Sequence, residues 1–271
     1  MSENFTMPEW LNSYTTSSTL PDENKRLLNT LFSRLSGLNS EEVTFRANEI
    51  RRLMRNSGFA DIDEQQNWQL DPLPMMVSSQ DWEIISRGIE QRMLLLNKVL
   101  IDLNGEQSTL THGIFATKHL MRHPFYLADT HQVPSQNKGV FLSAFDIGQD
   151  ADGEYYVLHD HCQFPRGLGL LLENRIVARR VMSEEFTECG VLRIAGFFEQ
   201  LQRAISQETA ALTDPRIVIL CRGPDDQYYS EQAYLATYMG YTLVRSADLT
   251  VRKGQVWLKA LDGLRKVDVI L

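Results

Sequence analysis

Apolar positions first recur at helical spacing. Leu27, Leu28, Leu31, Phe32 and Leu35 form one stripe from Asp22 onward, which Gly37 stops. Ser40 is expected to cap a second helix carrying Val43, Ala47, Ile50, Leu53 and Met54 as far as Gly58. The prolines of Leu70-Asp71-Pro72-Leu73-Pro74 force an extended or turned segment, after which Ser78 and Asp81 open a long helix in a capping-box-like arrangement. In that helix Trp82, Ile85, Ile89, Met93, Leu96, Leu100 and Leu103 lie on one side, ending at Gly105, and predict a buried face. Residues 107 to 138 are irregular, with a short helix near Ile114 to Met121.

The period then shortens. Gly139 to Phe145 and Tyr155 to Leu158 are apolar runs on either side of the turn sequence Asp150-Ala151-Asp152-Gly153-Glu154, the pattern of a β-hairpin. Strand alternation places His159 and His161 on one face and Asp160 on the other, before Pro165 and Gly167 end the pairing. Helical patterns follow near Leu172 to Val181 and Gly196 to Ile205. From Thr213 the character changes again. Arg216 to Cys221 is a continuous apolar strand, Gly223-Pro224 a turn, Ser230 to Met239 a helix stopped by Gly240, and Tyr241 to Val244 a second strand. That is a βαβ unit, whose right-handed crossover makes its strands parallel. A hairpin over Asp248 to Val251 and Gln255 to Leu258, turning at Lys253-Gly254, and a closing strand Val267 to Leu271 complete the pattern. The expected organisation is a Ser-, Thr- and Asn-rich flexible leader over 1–21, a helical region with the hairpin lobe over 22–212, and a partial α/β layer over 213–271. A doubly wound sheet needs more strands than this last segment holds, so the sequence is expected to stop inside a domain.

Charge and cysteines exclude several classes. The net charge of −8 argues against a general grip on nucleic acid phosphates or anionic lipid, although Arg175, Arg179 and Arg180 cluster locally. Cys162, Cys189 and Cys221 are widely spaced and form no C-x-x-C motif, which indicates neither a disulfide framework nor a structural zinc site. The first residues carry no signal-peptide pattern, and no window is apolar enough to span a bilayer, so a cytoplasmic location without nucleic acid or membrane partners is expected. His119 and His123 stand four apart but lack a completing ligand and read as surface residues.

In this order and spacing, three segments resemble the circularly permuted ATP-grasp family, related to glutathionylspermidine-synthase-like carboxylate–amine ligases. They are the LDP-x-P segment with its G-x-x-Q-R-x-x-L-L-N helix (68–107), the strand, P-x-G turn and L-E-N-R helix (157–186), and the Gly-Pro turn, A-Y-L-A helix, D-L-T-V-R hairpin and V-D-V-I-L strand (216–271). The resemblance implies a mixed α/β (α+β) fold: a helical region, an antiparallel hairpin lobe of ATP-grasp type, and a partial Rossmann-like parallel layer. It also implies an ATP-dependent carboxylate–amine ligase acting through an acyl phosphate, with ATP and Mg²⁺ as cofactors and a small carboxylate and amine, or a peptide, as substrates. The chain on its own is expected to be inactive, since it holds no G-x-x-x-x-G-K-[ST] loop and covers only the first part of the family's module.

That chemistry needs oxygen ligands for the metal and cations for moving charge. The resemblance assigns catalytic roles to Arg166, Glu173, Asn174 and Arg175, cofactor binding to Gly167, Gly223, Asp226 and Glu231, and metal binding to Asp160 with His159 and His161. The family's acidic-Asp-Asn series here reads His159, Asp160, His161, and its Pro-Ser-Gly turn reads Pro165-Arg166-Gly167, so only Asp160 remains as a hard oxygen ligand. Three readings compete with this one. The chain is a non-catalytic scaffold derived from the family, with a protein partner on its N-terminal helices; His159 and His161 hold a transition metal; or Cys162 is a nucleophile beside the histidines.

Overall fold

The computed structural model describes residues 22–35, 37–59, 70, 77–124, 126, 139–150, 153–163, 165–209 and 212–271. The expected leader and most of the LDP-x-P segment lie outside these residues. The fold is mixed α and β, as its sequence pattern predicts, with two antiparallel sheets and one parallel sheet.

The chain divides into two compact units. The described residues of 25–75 and 167–271 form one, and those of 22–24 and 76–166 the other. In the first unit the helix Ser40–Asn56 buries its apolar face on the helix that follows the P-x-G turn.

α1 (Asp22–Leu35), which belongs to the first unit from Lys25 onward, precedes α2 (Ser40–Asn56). The α2 cap is Asn39 and not Ser40: Asn39 Oδ1 accepts the Glu42 N–H at 2.8 Å, and asparagine caps as well as serine does. Ile50, Leu53, Met54 and Phe59 pack with Val177 of α6 (Leu168–Val181), and Tyr234 closes against this cluster. Next come α7 (Ser183–Glu188), which the sequence pattern does not announce, and α8 (Ala195–Glu208). Ion pairs from Arg34 to Glu184 and Glu188, and from Arg46 to the buried Glu185 at 2.6 Å, tie α1 and α2 to α7.

The parallel layer is built as predicted. β3 (Ile217–Cys221), α9 (Tyr229–Met239) and β4 (Thr242–Arg245) make the βαβ unit, and the closing strand is β8 (Val269–Ile270), which pairs parallel with β3 on its other side. The order is therefore β4-β3-β8. The hairpin β5 (Leu249–Arg252) and β6 (Gln255–Ala260) gains a third strand, β7 (Gly263–Lys266), and packs Leu249, Val256 and Leu258 on the core of Val218, Val244 and Val267. β3 is less covered than a continuous apolar run suggests, because Leu220 is exposed.

The second unit centres on α3 (Ser79–Asn104). Ser78 Oγ accepts the Asp81 N–H at 3.0 Å, as its sequence predicts. Its apolar face is only partly covered: Ile85 is buried, but Trp82 stays 53% exposed. Two short helices follow, α4 (Ser108–Thr111) and α5 (Thr117–Met121), the first held by the Asp102 carboxylate on the Ser108 and Thr109 N–H groups. The hairpin is β1 (Ala144–Gln149) and β2 (Tyr155–His161). β1 starts five residues later than the apolar run at Gly139, because Asn97 of α3 draws the Val140 N–H to its side-chain oxygen at 2.6 Å and holds that stretch off the ladder.

Candidate functional site

The chemistry-bearing residues fall into one group in each unit. In the second unit they sit at the end of β2. The antiparallel register places His159 opposite Asp146 and His161 opposite Ala144, with a bulge between Asp146 and Ile147. Both imidazoles occupy one face, their ring centres 4.6 Å apart, and His161 Nε2 meets Asp146 Oδ2 at 2.9 Å. Asp160 points to the other face, where Arg92 of α3 holds it in a fork: Nε to Oδ1 at 2.5 Å and Nη2 to Oδ2 at 2.7 Å. The bidentate pairing uses both carboxylate oxygens. Arg92 belongs to the G-x-x-Q-R motif, so the sequence shows it, but nothing in its spacing reveals Asp160 as its partner.

The hydrogen bond from Arg92 is the main cause that holds the Asp160 carboxyl below its ordinary value, and burial and Asp160 together push the Cys162 thiol up. A raised thiol is a poorer nucleophile at neutral pH, which weighs against the cysteine reading. Arg92→Met is expected to return the Asp160 pKa to the ordinary aspartate range. A carboxyl-detected NMR titration reads this directly; an unchanged midpoint would show that the fork does not form. Because the folded-state value is depressed, the pair's contribution to stability is present above the unfolded pKa and is lost as pH falls through the folded one.

The hairpin does not gather a magnesium site. Among the described residues no group of three His, Cys, Asp or Glu is placed to hold a metal ion. Asp160 is taken up by Arg92, Asp146 faces His161, and neutral imidazole suits magnesium poorly. His159, Asp160 and His161 therefore do not fit Mg²⁺ as arranged.

In the first unit the group lies where α6 meets α9. Gly167 has φ +98, a conformation that favours glycine, and its N–H donates to Glu231 Oε1 at 2.6 Å; the Gly169 N–H reaches the same oxygen at 3.3 Å. Glu231 thus supplies, from within the protein, the negative charge that a helix N-terminus attracts. Gly169, which its pattern alone does not mark, is required for this approach, since a Cβ there would lie 2.8 Å from the Glu231 carbonyl oxygen. Arg166 is exposed at the preceding position.

One turn into α6, Glu173 is buried, with 5% exposure. Ser57 Oγ donates to one of its oxygens, and Tyr234 Oη to the other at 2.5 Å. Burial, then this hydrogen bond, push the Tyr234 phenol well above its ordinary value. Among the described residues Asn174 Oδ1 is buried without a hydrogen-bond partner, as is Gln232 Oε1 on α9. Arg175 is half-buried over the Phe186 ring, 5.5 Å from its centre, and desolvation lowers its pKa. Gly223 is buried at φ +122, and Asp226 turns inward to accept the Tyr228 N–H at 2.9 Å. The arrangement brings Gly167, Glu231 and the L-E-N-R helix together; Glu231 and Glu173 both spend their carboxylates on the protein itself. Ser57 and Tyr234 are the partners sequence reasoning missed; Tyr234 stands in the A-Y-L-A motif, but its pairing spans α6 and α9 and leaves no local signal.

The comparisons agree with this architecture. Residues 74–271 match the family described as circularly permuted ATP-grasp type 2. An uncharacterized protein of Mycobacterium tuberculosis is 36% identical over 207 residues, covering 75% of this chain and 23% of the relative. A second uncharacterized protein of that organism is 29% identical over 244 residues, covering 89% and 44%. One of Synechocystis is 27% identical over 203 residues, covering 74% and 42%. The chain spans less than half the length of these curated relatives. The match along residues 74–271, with its strand, turn and helix order found in the fold, makes this chain a member of the circularly permuted ATP-grasp type 2 family.

Proposed function

We propose that the protein is an ATP-dependent ligase that joins a carboxylate to an amine, the carboxylate first accepting a phosphoryl group as an acyl phosphate. Membership of an ATP-grasp family carries this reading. In it Arg175, a half-buried guanidinium that pairs with no carboxylate among the described residues, is the described residue best suited to an anion, and Arg166 at the exposed turn is the second. Glu173 is a positioning residue, holding the L-E-N-R helix to α2 and α9, and Asn174 offers its unpartnered oxygen. Gly167, Gly223, Asp226 and Glu231 shape the turns that a nucleotide would meet. ATP and magnesium serve the family generally, although the β2 residues do not gather a metal site. A cytoplasmic location fits a ligase that draws on ATP. For the membrane, the structure says only that no described helix is long and apolar enough to cross one.

The taken-up carboxylates of Asp160 and Glu231 favour a second reading, a family-derived scaffold that no longer performs the reaction. Calorimetric titration with ATP and Mg²⁺ separates the two. On the ligase reading a protein of the relatives' full length binds nucleotide, and the 271-residue chain binds it weakly or not at all. Absence of binding by the full-length protein would leave the scaffold.

A further inference from the structure

Within the first unit, the C-terminal end of α2 and one face of α9 enclose a groove of about 540 Å³ lined by Ser57, Gly58, Tyr229, Ser230, Tyr234, Thr237 and Tyr238 among others. The positions from α9 recur at helical spacing, so the tyrosines lie along one wall. Tyr234 packs at a tilt against Phe59 and Tyr238 edge-to-face against Phe198, with ring centres 5.3 Å and 5.4 Å apart, which fixes both rings. Among the described residues the lining holds hydroxyl groups and aromatic rings and no charged side chain.

Behind this wall lies a negative charge. Ser57 and Tyr234 line the groove and also donate their hydroxyls to Glu173, whose carboxylate forms no ion pair among the described residues. Two neutral donors satisfy its hydrogen bonds without cancelling its charge, and burial weakens the screening of its field. Aromatic rings, which attract cations to their faces, and hydroxyl oxygens, which accept N–H donors, complete a surface complementary to a positive group. We propose that this groove binds a protonated aliphatic amine, with its ammonium group held between the tyrosine rings and the hydroxyls that cover Glu173. The proposal goes beyond the ligase reading and does not rest on it, because it concerns equilibrium binding in a groove whose walls the first unit supplies alone.

The test uses the 271-residue chain with tyrosine rings labelled for NMR, titrated at constant ionic strength with n-butylammonium chloride and, separately, with n-butanol. Saturable shifts of Tyr229 and Tyr238 are expected with the amine, and binding of the alcohol about tenfold weaker or less. Tyr238→Leu should weaken amine binding by about tenfold while Tyr238→Phe, which keeps the ring, preserves it. Tyr229→Leu gives an independent arm should loss of the Phe198 contact unfold the Tyr238 variant, and Glu173→Gln, checked for folding by circular dichroism, should weaken the amine but not the alcohol. Equal affinity for amine and alcohol, no saturable binding, or amine binding indifferent to both leucine variants would overturn the proposal. An ATP titration that fails leaves these outcomes unchanged, so the two readings fail separately.

Discussion

Replacing Gly169 by alanine will lower the free energy of unfolding by about 3 kcal/mol, the sum of overpacking and the loss of hydrogen bonds to an ionised carboxylate. The new Cβ would stand 2.8 Å from the Glu231 carbonyl oxygen and 2.9 Å from its Cγ. A flexible side-chain end could move away; a backbone oxygen in a helix cannot. α6 and α9 must therefore separate, and the Glu231 carboxylate is drawn from the Gly167 and Gly169 N–H groups together. Gly88→Ala is the matched control: it lies in α3, where a Cβ meets nothing within 4 Å, so helix propensity alone should make that protein about 1 kcal/mol more stable. Urea unfolding of the two variants decides the matter. If both are stabilised, the helices do not approach as closely as described.

The second large effect belongs to Glu173. Glu173→Ala removes an acceptor from two hydroxyls at once and should cost about 3 kcal/mol, given that bonds to a charged group contribute about 1.5–3 kcal/mol each and that the single Ser57 hydroxyl proton can turn to the Leu53 carbonyl instead. Glu173→Gln retains an oxygen and should cost less. A double-mutant cycle of Glu173→Gln with Tyr234→Phe should return a coupling of about 1–2 kcal/mol; additivity would mean that the two side chains do not meet. The alkaline limb offers a further check. Because the Tyr234 phenol is raised in the folded state, its contribution is fully present below the unfolded tyrosine pKa and is lost as pH rises through the folded one. Stability of the parent should fall above that lower value, and the Tyr234→Phe protein should fall less steeply.

Local signals were readable in the residues, and partnerships across space were not. The 3.6-residue recurrence from Ile85 to Leu103 gives α3 its extent, and Ser78 its start, because both are properties of a single segment. The βαβ unit is legible in the continuous apolar run at Ile217 and the glycine stop at Gly240, whose φ of +73 explains why glycine stands there. By contrast, Trp82 has the spacing of a buried residue and is half exposed, since periodicity tells which side is apolar and not what covers it. The strand at Gly139 is displaced by Asn97, and the carboxylates of Asp160, Glu173 and Glu231 find partners 68, 116, 61 and 64 residues away, separations that no short window samples. Sequence reasoning marked the candidate acids by residue type alone; whether each faces substrate or protein is decided by the tertiary fold.

The position of β8 carries a kinetic consequence. β3 is the middle strand of the parallel sheet, yet one of its neighbours is made from Val269 and Ile270, with Asp268 Oδ2 accepting the N–H of Arg216, which lies 52 positions earlier in the chain. During synthesis the βαβ crossover can form as soon as β4 emerges, but β3 keeps a bare edge until the far segment arrives, and closing so long a loop is slow compared with local pairing. Deleting Val269–Leu271 should leave that edge open to other strands, so that aggregation competes with folding there.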